Sequence, residues 1–103
     1  MRLIYLDTTK PDLGWLREYY RSTFPQGSAL AARQYLKTIR ILVANPYIGR
    51  PIGQDDLRKL VIPKTPFSLF YRIVEDRIEI ARVWDQRRDP KTLAFHEEAA
   101  VIR

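Results

Sequence analysis

Apolar and polar positions along this chain change period twice, and the changes divide it into a short strand, two helices and three further strands. Residues Arg2 to Asp7 place apolar groups on both sides, Leu3 and Tyr5 against Ile4 and Leu6. A segment apolar on both faces fits a buried strand better than a surface one. Near Pro11 the period turns helical, with Leu13, Leu16 and Tyr20 at three- and four-residue spacing. Thr9, followed three residues on by Asp12, predicts a capping box, and Pro11 suits a first turn because its missing N–H would have no partner there.

The stretch STFPQG from Ser22 to Gly27 ends that helix, and Ser28 is the predicted N-cap of a second helix reaching about Ala44. The two should form an antiparallel hairpin. On the second, Ala32, Leu36, Ile39 and Val43 recur at i, i+4, i+7 and i+11, which predicts them as its buried stripe. Asn45-Pro46 stops this helix, because the residue before proline avoids the helical region and proline donates no N–H. A loop with two Pro and two Gly continues to Asp56.

Leu57 to Ile62, Phe67 to Val74 and Arg77 to Trp84 are then predicted strands, rich in β-branched and aromatic residues. With Glu75-Asp76 as a two-residue turn, Arg72 faces Glu79, Ile73 faces Ile78 and Phe67 faces Trp84. This register puts Phe67, Leu69, Tyr71, Ile73, Ile78 and Ile80 on the face the helices cover. Ser68, Phe70, Arg72, Val74, Glu79, Ala81 and Val83 take the other, which either binds a partner or seats the C-terminal tail. Arg72 and Glu79 read as a surface pair worth less than about 1 kcal/mol. Lys91 to Arg103 is a tail or short amphipathic helix with Leu93, Phe95, Ala99 and Ile102. The predicted fold is α+β, a helical hairpin packed on a small antiparallel sheet in the order β-α-α-β-β-β, with residues 1–103 as one domain.

Composition narrows the chemistry. Without cysteine, disulfides and thiolate metal sites are excluded, and one His cannot build a His-rich site. No metal or cofactor is therefore expected. The N-terminal apolar run is broken at Asp7 and nothing approaches a membrane span, so a cytoplasmic protein with no membrane partner is the expectation.

The formal charge is +6, and no carboxylate falls between Glu18 and Asp55, an interval holding Arg21, Arg33, Lys37, Arg40 and Arg50. Arg33, Lys37 and Arg40 share one helical face. From Leu57 to Lys91 nine cations stand against five anions. Such a surface suits polyanions or an acidic protein partner.

Common enzyme patterns are missing: there is no G-x-S-x-G, no phosphate-cradling glycine loop, no H-E-x-x-H and no cysteine nucleophile. What remains is basic. Arg58, Lys59, Arg82, Arg87 and Arg88, with Tyr71 and Trp84 close by in the predicted sheet, can stabilise charge on a phosphorane during RNA cleavage or make an adhesive patch. Gly49 and Pro51 are expected to shape the loop without touching neighbours.

Four pieces in order carry a family resemblance: NPYIGRP at Asn45 to Pro51, LRKLVIP at Leu57 to Pro63, FYRIVEDR at Phe70 to Arg77, and RVWDQRRD at Arg82 to Asp89. Together with the element order they resemble the RelE/ParE superfamily of bacterial toxins from Arg2 to Pro90. The resemblance implies the toxin of a type II toxin–antitoxin pair, held inactive by a cognate antitoxin that is ParD-like or another small DNA-binding protein. RelE-like members cleave mRNA in the ribosomal A site, whereas ParE-like members poison DNA gyrase without being nucleases. The ribonuclease branch places an arginine where Ser68 stands and a Tyr or His near the C-terminus, for which His96 is the choice; Arg87 matches its sheet-end arginine.

The loop and strand signatures lie nearer the ParE side, so the implied activity is gyrase inhibition. Contacts to target or antitoxin are then expected at Arg58, Lys59, Arg72, Arg82, Trp84, Arg87 and Arg88 on the sheet, and at Arg33, Lys37 and Arg40 on the second helix. Two alternatives stand beside this reading. One is a ribosome-dependent mRNA interferase using Arg87, Arg58, Lys59 and His96; the other is a binding module without toxicity.

Overall fold

The computed structural model describes residues 1–95 and arranges them as β1 (Arg2–Tyr5), α1 (Thr9–Glu18), α2 (Ser28–Ala44), β2 (Arg50–Pro51), β3 (Arg58–Val61), β4 (Phe67–Val74) and β5 (Arg77–Asp85). A π-helical turn at Tyr19–Thr23 and a 3-10 turn at Pro25–Gly27 link the helices, and another 3-10 turn, Pro90–Thr92, follows β5. The strands form one sheet in the order β1-β5-β4-β3-β2. The sheet is antiparallel except where β1 joins it, parallel to β5. Of the predicted tail, residues 91–95 form the end of that turn and an extended segment, while Ala99 and Ile102 lie outside the described residues. Among the described residues no helix is long and apolar enough to cross a membrane.

Both helix starts differ from expectation. The Thr9 hydroxyl donates back to Leu6 O at 2.7 Å, and Asp12 turns toward the sheet, so no capping box forms. Gly27 holds the N-cap position of α2 and Ser28 begins the helix proper.

The buried stripe of α2 is Ala31, Thr38 and Leu42, with Tyr35 and Ile39 packed beside them, one residue behind the predicted stripe. One residue turns a helix by roughly 100°, which carries Ala32 and Leu36 outward; Leu36 is 54% exposed. Thr38 hid this stripe from a reading based on hydropathy. Its hydroxyl donates to Gln34 O at 2.7 Å, and a satisfied hydroxyl can be buried.

Pairing of β4 with β5 begins as predicted, with Arg72 opposite Glu79 and Ile73 opposite Ile78. A bulge then intervenes. Tyr71 faces Ile80 but Phe70 faces Arg82, leaving Ala81 without a partner, so Phe67 meets Asp85 and Ser68 meets Trp84. The extra residue reverses which side the later positions face. Val83, predicted on the outer face, joins Ile78 and Ile80 in the core, and the predicted Phe67–Trp84 pair is not made.

Past the bulge, α1 occupies the edge of β5 that β1 has left. Thr8 Oγ1 donates to Ala81 O at 2.6 Å, and Asp12 accepts the Val83 N–H at 3.0 Å. The same carboxylate takes Arg82 Nε and Nη2, both at 2.8 Å. Asp12 is 1% exposed and the Arg82 side chain 14%, so the pair is buried and hydrogen-bonded on both oxygens. Side chains of a helix thus satisfy strand groups that a further strand would otherwise pair.

The helices close the core over Leu42, Ile62, Phe67, Leu69, Tyr71, Ile78, Ile80 and Val83. At the π-helical turn the adjacent Tyr19 and Tyr20 both reach Phe67, with ring centroids 6.0 and 6.1 Å away. On the far side, the NPYIGRP loop is latched to the sheet. Tyr71 Oη donates to Pro46 O at 2.7 Å and accepts the Gly49 N–H at 2.8 Å, while Arg58 Nη1 donates to Gly49 O at 2.7 Å. Gly49 is therefore in contact, contrary to expectation: a Cβ there would stand 2.6 Å from Tyr71 Oη and 3.0 Å from Lys59 O. Burial raises the Tyr71 phenol above its ordinary range, which keeps it a donor at neutral pH.

Candidate functional site

Two faces of the molecule carry candidate contact features. The first is an apolar groove of about 820 Å³ running between α1 and α2. Leu13, Leu16 and Tyr20 form one wall, Ala32 and Leu36 the other, and Arg17 and Arg21 reach its rim. It exists because the rotated stripe of α2 leaves Ala32 and Leu36 uncovered. Tyr5 and Tyr35 close one end through a hydroxyl-to-hydroxyl contact; burial first, and then that contact, pushes the Tyr35 phenol far up.

The second face is the outer side of the sheet and its β5 end. Asp85, buried at the strand terminus, accepts Trp15 Nε1 at 2.9 Å, the Arg87 backbone N–H at 3.0 Å, and Arg87 Nε and Nη2 at 2.9 and 2.6 Å. Burial works to raise this carboxyl, but the hydrogen bonds from Arg87 and Trp15 outweigh it and hold it at about 2. The half-exposed Arg87 guanidinium also sits 4.3 Å from the Tyr19 ring centroid. Arg88 contacts two indoles, 4.2 Å from Trp15 and 4.4 Å from Trp84, distances at which the ring quadrupole attracts a cation.

Beyond this cluster the chain turns at Pro90–Thr92 and runs back over the sheet. Ala94 O accepts Arg82 Nη1 at 2.8 Å, and the Phe95 ring lies 5.2 Å from Phe70. The outer face therefore seats the described part of the tail, one of the two uses expected for it. Between tail and β2 a cleft of about 900 Å³ remains.

The structure divides the predicted basic constellation, with Lys59, Trp84 and Arg88 lining the cleft. Arg58 is committed to the Tyr47–Gly49 loop, and Lys59 Nζ donates to Gln86 Oε1 at 2.9 Å. Arg82 is held by Asp12, and Trp84 is buried. Arg72 and Arg77 both bond Glu79, at 2.8 and 2.9 Å. Glu79 is buried, so the expected surface pair is in fact largely withdrawn from water. Burial favours its neutral form, yet the two arginines bring the carboxyl below its ordinary value. Arg87 and Arg88 do stand together at the sheet end, while Arg33, Lys37 and Arg40 are exposed on α2. His96 lies outside the described residues.

Sequence reasoning missed Asp12, Trp15 and the groove. One available signal was the apolar spacing Ile78, Ile80, Val83, whose odd step marks a bulge. Another was Trp15, an indole one residue off the Leu13–Leu16 stripe and so directed elsewhere.

A helical hairpin over a five-stranded mixed sheet is the architecture of the RelE/ParE class of small α+β toxins. Within it, the family model described as the ParE toxin of the type II toxin–antitoxin system parDE matches residues 3–90, and the chain belongs to that family. A solved structure of the chromosomal ParDE toxin–antitoxin system from P. aeruginosa is similar: 27% identity, 81% of this chain and 92% of that chain covered, TM-score 0.63. A comparison with curated proteins finds no match.

Proposed function

We propose that this ParE-family chain inhibits DNA gyrase and is neutralised by a cognate antitoxin that lays an amphipathic helix in the groove between α1 and α2. The uncovered groove, with Leu36 54% exposed, is the observation that carries the antitoxin half. Apolar residues at helical spacing would fill it, and acidic residues beside them would meet Arg17 at its rim, where Arg21 is already held by Glu18. Family membership supports the gyrase half. The ribonuclease alternative draws nothing further from the geometry, since Arg87 is bound by Asp85 through two guanidinium nitrogens and Ser68, where that branch has arginine, is fully buried.

The test is a supercoiling reaction titrated with antitoxin-free protein. Linear DNA should accumulate; active gyrase left untouched would refute the gyrase half. For the antitoxin half, the product of the neighbouring reading frame should co-purify with the wild-type chain and be lost with Leu36→Glu while gyrase poisoning persists. Retention by Leu36→Glu would place the antitoxin elsewhere.

A further inference from the structure

Cations of the sheet and its flanks differ in their partners, and Arg58 is held by the carbonyls of the Tyr47–Gly49 loop. Arg72 and Arg77 meet Glu79, Arg82 meets Asp12, and Arg87 meets Asp85. Arg50, Lys59, Arg88 and Lys91 meet no carboxylate among the described residues, and all four line the cleft of about 900 Å³ between β2 and the tail. No Asp or Glu is among the described residues that line it. Like charges gathered around a concave space focus a positive potential there, and a bound anion relieves their mutual repulsion.

The floor of the cleft decides which anion fits. Phe70 and Trp84 form it, yet they are only 5% and 3% exposed, so neither leaves an open pocket for an apolar anchor. An amphipathic acidic peptide would find no deep apolar pocket in this floor, only the half-buried Ile52, Leu93 and Phe95 beside it. Nor do the rings offer bare faces on which bases can stack, because Arg88 lies against Trp84 and Phe95 against Phe70. The walls offer charge and the side-chain amides of Gln54 and Gln86, beside the half-buried Ile52, Leu93 and Phe95. A ligand with repeated anionic groups matches the four cations of this lining.

We propose that the cleft bounded by Arg50, Lys59, Arg88 and Lys91 binds the phosphodiester backbone of a nucleic-acid strand, without reading its bases. This site is separate from the antitoxin groove and does not depend on gyrase being the target.

Fluorescence anisotropy of end-labelled oligonucleotides against the full-length protein tests it, with single-stranded DNA, single-stranded RNA and duplex DNA as separate arms. Whichever arm binds most tightly identifies the source of the backbone. Affinity should fall with salt, and the log–log slope should shrink by about 0.7 to 0.9 for each cation removed in Arg50→Ala and Lys91→Ala. The double variant should lose about tenfold in affinity at moderate salt. Arg50→Lys should retain binding, which separates charge from any effect on folding. A triple Arg33→Ala, Lys37→Ala, Arg40→Ala variant, altered on α2, should bind as wild type does. If that triple variant loses as much as the cleft double, if labelled polyglutamate binds as tightly as the oligonucleotides, or if no arm binds, the proposal fails.

Discussion

Replacing Asp12 by alanine would test the account of how α1 is held. The carboxylate accepts two guanidinium N–H groups of Arg82 and the Val83 backbone N–H, and it is 1% exposed. Its removal leaves a largely buried cation without a carboxylate, though still bonded to Ala94 O, and an amide donor without its acceptor. Breaking a buried ion pair from one side costs about 3–5 kcal/mol, and an orphaned donor about 1–3 kcal/mol more if water cannot reach it. Relaxation of the Arg82 side chain toward solvent offsets some of this, so a loss of about 3–5 kcal/mol is expected. Against a total stability of about 5–15 kcal/mol, that is a large fraction. The assay is urea unfolding followed by tryptophan fluorescence, which both Trp15 and Trp84 should report. The double variant Asp12→Ala, Arg82→Leu removes the stranded charge and should recover at least about 1 kcal/mol of the loss. A single-variant loss below about 1 kcal/mol, or a double variant no more stable than the single, would refute the reasoning.

Three further outcomes follow from the same geometry. The Asp85 carboxyl is depressed from 3.8 to about 2, so it contributes about 2 kcal/mol above pH 4 that is lost as pH falls through 2. Urea midpoints of wild type and Asp85→Asn should converge across that window, and a constant gap would contradict the assignment. Gly49→Ala should cost about 1–3 kcal/mol, because the new Cβ would lie 2.6 Å from Tyr71 Oη; an unchanged melting temperature would mean the latch yields freely. Ser68 Oγ is buried without a hydrogen-bond partner among the described residues, so Ser68→Ala should be neutral or stabilising by up to about 1 kcal/mol. A destabilisation beyond that size would show the hydroxyl to be bonded after all.

Local signals made much of the fold legible. Asn45-Pro46 does end α2, Glu75-Asp76 does turn β4 into β5, and the pairs nearest that turn form as the alternation predicts. What stayed hidden depends on contacts between distant positions. The bulge at Ala81 is fixed by Thr8 and Asp12, about seventy residues away, so alternation within β5 was extended one residue too far. On α2 two apolar stripes compete, and Thr38 tips the choice only because Gln34 satisfies its hydroxyl. The basic residues were visible as a group, but composition cannot say which of them already hold a carboxylate. Arg82 and Arg87 proved to be paired, while Arg50 and Lys91, outside the expected contact residues, face an open cleft.

The pairing of chain start with sheet end also sets an order of events during synthesis. β1 aligns Arg2 with Arg77 and Tyr5 with Ile80, and α1 is fastened to Ala81, Val83 and Asp85. The sheet contacts of the first eighteen residues thus wait for β5, whereas α2 and the β3–β4–β5 meander close over short separations. Local elements form early and long-range closures late, because loop entropy must be overcome before distant contacts repay it. A nascent chain interrupted before β5 has a helix with no edge to cap and a groove with only one fixed wall. The groove would therefore gain its α1 wall only once β5 has formed.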